Sequence, residues 1–468
     1  GILNYLQQSL AEPGVFDRAL YQSHGYPALS MVQEHGHTEA TKCYPANFGV
    51  LTQAQGIIVH SEHSRALADR FYGRGFSADW SCLPLLRAPK RLVDRALARS
   101  RLDIPQSARV TASFGFVAAT KLNNELLEAW LASQENEPDS YLIFVGRNSL
   151  DESGQRLVRR IEASPAGKRV RITGFVTAEQ YNLWLAAADL TVQLRGGSRG
   201  ETSAAVLDCL VAGKPLICNA HGSSAELPAE VAWRLPDNFA IAELADAIRQ
   251  LLGDPERARQ LGERARHYCE RHSPATVAAR YAEVIEYQAQ HHPQARQSQL
   301  VQALRELPGI AVQPVRAHVE LASAVAQNHA IGFQRTCFVD ITSLAETPPA
   351  ALREALCDCL RTAFACWRVE LVRRADDGIY HLACERAARW LGLPAMHDQP
   401  LLSGPQDAWL HLDKVCAPAV LTARLRHVGT LASAMLAIEG RAALERWLAV
   451  PLSINSTESG HADVAPLA

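Results

Sequence analysis

The sequence predicts an α/β protein whose centre is a doubly wound parallel sheet. Three observations carry the prediction. Between residues 108 and 218, short apolar runs alternate with helix-period segments of about ten residues, the rhythm of strand–helix–strand units. One of these runs, Tyr141-Leu142-Ile143-Phe144-Val145-Gly146, reads as a buried strand closed by glycine, and short strands alternating with helices mean a parallel sheet covered on both faces. Apolar residues make up 48% and charged residues 21% of the 468-residue chain, the balance of a globular protein rather than a disordered or fibrous one.

Residues 1 to about 50 read as helical. They lead to the strand Gly56-Ile57-Ile58-Val59-His60, a helix over 61–71, and a short apolar run from Cys82 to Leu86 ahead of a basic stretch. Two strand candidates in the first hundred residues are few for an α/β layer. From 108 the order is strand ARVTASFGF, helix 124–134, strand 141–146 closed by glycine, helix 154–163, strand 169–173, helix 177–188, strand 190–194, a Gly/Ser/Arg loop, helix 203–212 and strand 214–218. Such a Rossmann-like domain binds ligands at the carboxyl ends of its strands. Helices over 240–253 and 255–290 close it, and the polar segment 286–299 reads as a linker or fraying helix end. Beyond a helical stretch, a second α/β-like start follows: strand 336–340, helix 350–366, strand 367–372, helix 380–391 and strand 409–412. The last fifteen or so residues read as a disordered tail.

Lys plus Arg number 47 against 49 Asp plus Glu, a net charge of −2, which gives no electrostatic reason to expect nucleic-acid binding. No run approaches the roughly 20 apolar residues of a membrane helix, and GILNYLQQSL has no signal-peptide pattern, so a cytoplasmic protein is expected. Eleven scattered cysteines, with one C-x-C at Cys357 and Cys359 and no C-x-x-C, favour free thiols over disulfides or a zinc site.

The informative stretch is Leu194-Arg195-Gly196-Gly197-Ser198-Arg199-Gly200-Glu201-Thr202-Ser203, which ends a strand and opens a helix. Backbone N–H groups of a Gly-rich loop and helix N-terminus favour an anion, and Arg195 and Arg199 can add charge-assisted bonds. A second feature of that kind is Ser113-Phe114-Gly115-Phe116 at the end of the first strand, with Lys121 at the next helix. Asp208 lies seven residues after Glu201, about two helical turns, so both carboxylates are expected on one side. An acid there can accept two hydrogen bonds from a ribose diol; the plain alternative is a solvated helix face.

The run from about 109 to 283 resembles the nucleotide-binding half of the GT-B glycosyltransferases, in particular the retaining group 1 enzymes of glycosyltransferase family 4. The matching pieces, in the family's order, are SFGFVAATK, YLIFVG, VRITGFVTAEQYNLWLAAADLTVQLR and SRGETSAAVLDCLVAGKPLICNAHGSSAELP. The resemblance implies that Lys121 and Gly115 lie at the donor diphosphate, that Gly174, Phe175 and Val176 lie against the base, and that Asp208 stands for the second glutamate of the E-x7-E signature and binds ribose. Gly200 falls where the first glutamate stands, with Glu201 next to it. Phe116 occupies the place of an arginine that Arg195 or Arg199 can replace. Thr202 and Ser203 complete the helix N-terminus at the donor. The first hundred residues resemble the later part of the acceptor-side domain, where His24, His35, His37, His60 and His63 occur and His60 and Arg65 are the candidates. The family's opening strands have no counterpart there, so a fragment of a longer polypeptide, or a loss of these parts, is expected. Residues 334 to about 413 resemble the opening of that same domain in multidomain polysaccharide mannosyltransferases.

The implied organisation is a GT-B-like α/β architecture with helical additions: a partial acceptor-side domain over 1–105, a nucleotide-sugar domain over 106–290, a helical linker over 291–333, a degenerate or truncated module over 334–453 and a tail over 454–468. A further reading has the strands of the C-terminal module completing the strand-poor N-terminal layer. The implied activity is metal-independent, retaining transfer of a sugar from a nucleoside diphosphate sugar, GDP-mannose above all, to a glycan acceptor in bacterial surface polysaccharide synthesis. No cofactor is expected beyond that donor. A lipid-linked acceptor, peripheral association with membrane-bound assembly machinery and a homo-oligomer are compatible with it. The alternative is a catalytically degenerate scaffold that partners an active transferase. A dinucleotide-dependent oxidoreductase would need G-x-G-x-x-G after its first strand, which SFGFVAATK does not supply.

Overall fold

The computed structural model describes residues 11–134, 137–328, 334–362, 367–376, 378–401, 407–412 and 426–428. The expected tail over 454–468 and much of the last module lie outside them. The chain forms two compact units, one of 55–69 and 77–296, the other of 1–54, 70–76 and 297–468. This division differs from the expected one: the 105/106 boundary falls inside the first of these units, and the N-terminal helices share a unit with the C-terminal strands.

In the unit of 55–69 and 77–296, β1 (Ile58–Val59) and β2 (Ser81–Cys82) form a two-stranded parallel sheet. The main sheet contains β3 (Arg109–Phe114), β4 (Ser140–Val145), β5 (Val170–Ile172), β6 (Leu190–Gln193), β7 (Leu216–Asn219) and β8 (Trp233–Leu235), all parallel, in the order β5-β4-β3-β6-β7-β8. The chain winds outward from β3 to β5, then returns to β6 beside β3, so the switch point of this α/β Rossmann-like fold lies between β3 and β6. Both faces are covered. Trp130, Leu126, Phe144 and Ile248 lie in one core, and Val110, Ile143, Trp184 and Leu210 in the other. This two-sided burial is why the strand interiors are largely apolar, with small or amide side chains such as Thr111, Thr191 and Gln193 buried among them. Helix starts follow local chemistry: Asp151 caps Glu152–Glu162, and Thr177 forms a capping box with Gln180 ahead of Ala178–Ala187.

The expected long helix over 255–290 is two, Pro255–Glu270 and Pro274–His291, because Ser273 caps the second and Pro274 suits only a helix start. The segment expected as a linker is also helical, through His291 and again over Pro293–Arg305. β8 has no counterpart among the expected strands; it is short and only Leu235 is buried.

In the other unit, β9 (Thr336–Asp340), β10 (Arg368–Arg374), β11 (Tyr380–Leu382), β12 (Gln399–Pro400), β13 (Ala408–His411) and β14 (Arg426–Val428) lie in the order β12-β11-β10-β9-β13-β14. β11 is antiparallel to β10, so the expected helix over 380–391 is instead this strand followed by a helix over Cys384–Leu391. Gly378, at φ +80°, turns the chain between the two strands. Phe16, Leu20, Tyr26 and Leu29 of the N-terminal helices share one core with Cys337, Val339, Leu356 and Leu371. The C-terminal strands thus supply the sheet that residues 11–54 lack.

Candidate functional site

The site grows from the carboxyl ends of β3 and β6. Gly115 follows β3 at φ +112°, and the chain then enters a short turn, Ala119–Lys121. The loop after β6 is fastened to that turn: Gly196 N–H donates to the Thr120 carbonyl at 2.9 Å. A side chain at Gly196 would lie 2.7 Å from Leu122 Cδ2, so the loop and the turn pack closely there. Asn219, buried at the end of β7, holds Arg195 from both sides. Its Oδ1 accepts from Arg195 N–H at 2.9 Å and its Nδ2 donates to the Arg195 carbonyl at 2.7 Å.

These loops bring Lys121, Arg195 and Glu201 together. Arg195 Nη1 donates to Glu201 Oε1 at 2.8 Å, and Glu201 Oε2 accepts from Arg199 N–H at 2.7 Å. Burial, with the nearby Arg195 charge, pushes the Lys121 ammonium down to about 8, and Glu201 opposes the shift. Two cations face one carboxylate at the switch point, where open α/β sheets bind ligands, and the surplus positive charge suits an anion. The Arg199 side chain is exposed and only its backbone enters the cluster.

Glu201 and Asp208 do not share a helix face. The helix begins at Ala204, after Ser203, whose Oγ accepts from Val206 N–H at 3.4 Å; Glu201 belongs to the loop. Asp208 is buried and accepts from the Tyr181 hydroxyl at 3.1 Å, with Lys90 Nζ at 3.4 Å and Arg87 Nε at 3.7 Å. Burial, with the neighbouring Asp208 carboxylate, pushes the Tyr181 phenol well up, so it stays a donor. The Tyr181 ring packs on Phe114, 5.0 Å between centroids, which sets Asp208 beside the end of β3.

Gly174, at φ +72°, follows β5 and presents Phe175 to solvent, 82% exposed, while Val176 packs inward. Thr173 anchors this loop by accepting from Gly146 N–H at 3.1 Å. His60 and Thr202 meet elsewhere, in a cavity of about 340 Å³ that also involves Arg87, Tyr268, His272 and Arg280. There Thr202 Oγ1 is buried without a hydrogen-bond partner, and His60 Nδ1 lies 3.0 Å from the Leu83 carbonyl. Arg65 is spent locally, on the Ser77 carbonyl and Glu62. Among the described residues no cluster of three or more His, Cys, Asp or Glu is placed to hold a metal ion, and no helix is long and apolar enough to cross a membrane.

Sequence reasoning missed Asn219, Tyr181, Arg87 and Lys90. The basic stretch after Leu86 was the visible trace of the last two; the others fall at strand and helix ends with no motif to mark them.

No curated protein matches the chain. Residues 94–268 match the family model of the glycosyl transferases group 1. Similar solved structures include HepE from Anabaena in complex with UDP and glucose, at 18% identity over 53% of this chain and 68% of that one, with a TM-score of 0.46. Sucrose-phosphate synthase from Thermosynechococcus elongatus is 20% identical over 56% of this chain and 65% of that one, with a TM-score of 0.45. The C-terminal domain of the glycosyl transferase group 1 family protein LpcC from Francisella tularensis is 17% identical over 38% and 92%, with a TM-score of 0.34. The segment that matches this family model, 94–268, carries the parallel sheet and the Lys121, Arg195 and Glu201 cluster.

Proposed function

We propose that the protein binds a nucleoside diphosphate sugar at the carboxyl ends of β3 and β6 and transfers its sugar to a hydroxyl of a glycan acceptor. The observation that carries this reading is the Lys121, Arg195 and Glu201 cluster at the switch point of the sheet. As the bond between the anomeric carbon and the diphosphate oxygen breaks, negative charge builds on the leaving group. Lys121 and Arg195 stabilise it, and because they are fixed before the reaction they need no reorganisation. Side-chain cations meet that charge, so the reaction runs without a divalent metal. Phe175 lies against the base, and Asp208 accepts from the ribose diol once Lys90 or Arg87 releases one of its carboxylate oxygens. The donor we propose is GDP-mannose, on the likeness of the C-terminal module to polysaccharide mannosyltransferases, with retention of configuration and a lipid-linked acceptor of a bacterial surface polysaccharide. The site of action is the cytoplasm, at the inner face of the membrane.

One observation favours a second reading, a non-catalytic scaffold: Asp208 already faces Tyr181, Lys90 and Arg87. The test is incubation with GDP-mannose, UDP-glucose and their relatives, with and without oligosaccharide acceptors, following free nucleoside diphosphate and the anomeric signal of the product. Release from one donor with an α-linked product from an α-donor supports the transferase. Nucleotide binding with no release from any donor supports the scaffold.

A further inference from the structure

We infer that His221 recognises the transferred sugar, with its Nε2 accepting a hydrogen bond from a sugar hydroxyl, and that Asp237 holds it in position. The inference rests on the donor reading above and extends it to two residues outside the cationic cluster.

His221 follows β7, the strand next to β6. Its Nδ1 lies 2.8 Å and 3.0 Å from the two carboxylate oxygens of Asp237. A carboxylate only accepts, so Nδ1 carries the proton, and in the neutral ring Nε2 keeps its lone pair. Nε2 has no protein partner among the described residues, and the side chain is 22% exposed, so the ring is fixed at one end and open at the other. Asp237 is itself held by Asn219 Nδ2 at 3.1 Å, the same amide that grips the Arg195 carbonyl. One amide therefore sets the positions of both the leaving-group cation and the imidazole.

The order of strands places the sugar. Phe175 stands at the end of β5, the cations at β3 and β6, and His221 at β7, so a nucleotide sugar laid along the edge with its base at β5 and its diphosphate at β3 and β6 brings the sugar to β7. Neighbouring strands are about 4.8 Å apart, one step of that kind from the second phosphate to the hexose. The β6 and β7 loops also touch there: a side chain at Gly222 would lie 2.8 Å from Ser198 Oγ and 3.5 Å from His63 Cδ2. Gly222, at φ +57°, lets the loop turn without covering the ring.

The test compares two ligand pairs, GDP with GDP-mannose and UDP with UDP-glucose, by calorimetric titration of wild type, His221→Ala, His221→Gln and Asp237→Asn. The sugar nucleotide is expected to weaken about tenfold in His221→Ala, while the nucleoside diphosphate keeps its Kd within about twofold. Asp237→Asn, which leaves the ring in place but loosens its orientation, is expected to fall between His221→Ala and wild type. His221→Gln guards against misfolding, since it fills the same space, and is expected to lose selectivity for the sugar while binding the diphosphate normally. Equal weakening of both members of a pair, or no change in either, overturns the inference and leaves the donor reading standing. Absence of binding by wild type to all four ligands overturns the donor reading itself.

Discussion

Lys121 is the residue on which most of the proposed chemistry turns. Its ammonium is half-buried, faces Arg195 and titrates near 8. The folded value lies below the unfolded one, so the charged form is disfavoured by folding; that cost is present below about pH 8 and relieved as the pH rises toward the unfolded value. Lys121→Met is therefore expected to be at least as stable as wild type at pH 7 in thermal unfolding, and to lose the proposed anion binding. On the proposed function, a bound diphosphate reverses the shift. Titrations above pH 8 in buffers of different ionisation enthalpy are expected to show uptake of about one proton per nucleotide, with affinity falling by up to about tenfold per pH unit. Absence of proton uptake would place Lys121 away from the ligand. Lys121, Arg195 and Glu201 were legible in the sequence because glycines and strand ends mark their loops. The partnership of Asp208 with Tyr181 was not, since nothing local signals that a tyrosine 27 residues away points at the acid.

At the scale of elements, the loops after β3, β6 and β7 act as one piece because Asn219 and Gly196 join them. Asn219→Ala leaves the Arg195 N–H and carbonyl and Asp237 without that partner, a loss of about 1–3 kcal/mol for buried groups. Its nucleotide affinity is expected to fall even though every cation is retained, which calorimetry on the variant checks. Gly146 is similarly constrained, since a side chain there would meet the Gly115 carbonyl at 1.9 Å. Gly146→Ala is expected to displace the turn that carries Lys121 and to lower both thermal stability and affinity. Strands 109–114, 140–145 and 190–193 were legible from their regular alternation with helix-period segments, the second also as an apolar run. β8 and β11 were not, being three residues long and only partly buried, so no periodicity distinguishes them from a loop or a helix end.

At the scale of the whole molecule, one unit is built from both ends of the chain. Within it, Arg368 Nε donates to Glu370 Oε1 at 2.6 Å, Tyr21 donates to Glu370 Oε2 at 2.9 Å, and Arg368 Nη1 donates to the Gln22 carbonyl at 2.9 Å. Removing one member leaves a buried charge unpaired, so Glu370→Ala is expected to cost about 3–5 kcal/mol. Hydrogen exchange would report it as lost protection in both Val15–His24 and β10, whereas loss in β10 alone would contradict the shared core. The sequence showed the deficit of strands in the first hundred residues and the strands at the other end, and one reading of it joined the two; the core that Phe16, Leu20 and Tyr26 share with Cys337, Val339 and Leu371 supports that reading. An anion site at the switch point of the parallel sheet is tested by titrating GDP, UDP and ADP into wild type and Lys121→Met by calorimetry. Micromolar binding of one nucleotide by wild type, lost in a variant of undiminished stability, is the predicted result. Equal binding by both proteins, or none by wild type, would contradict it.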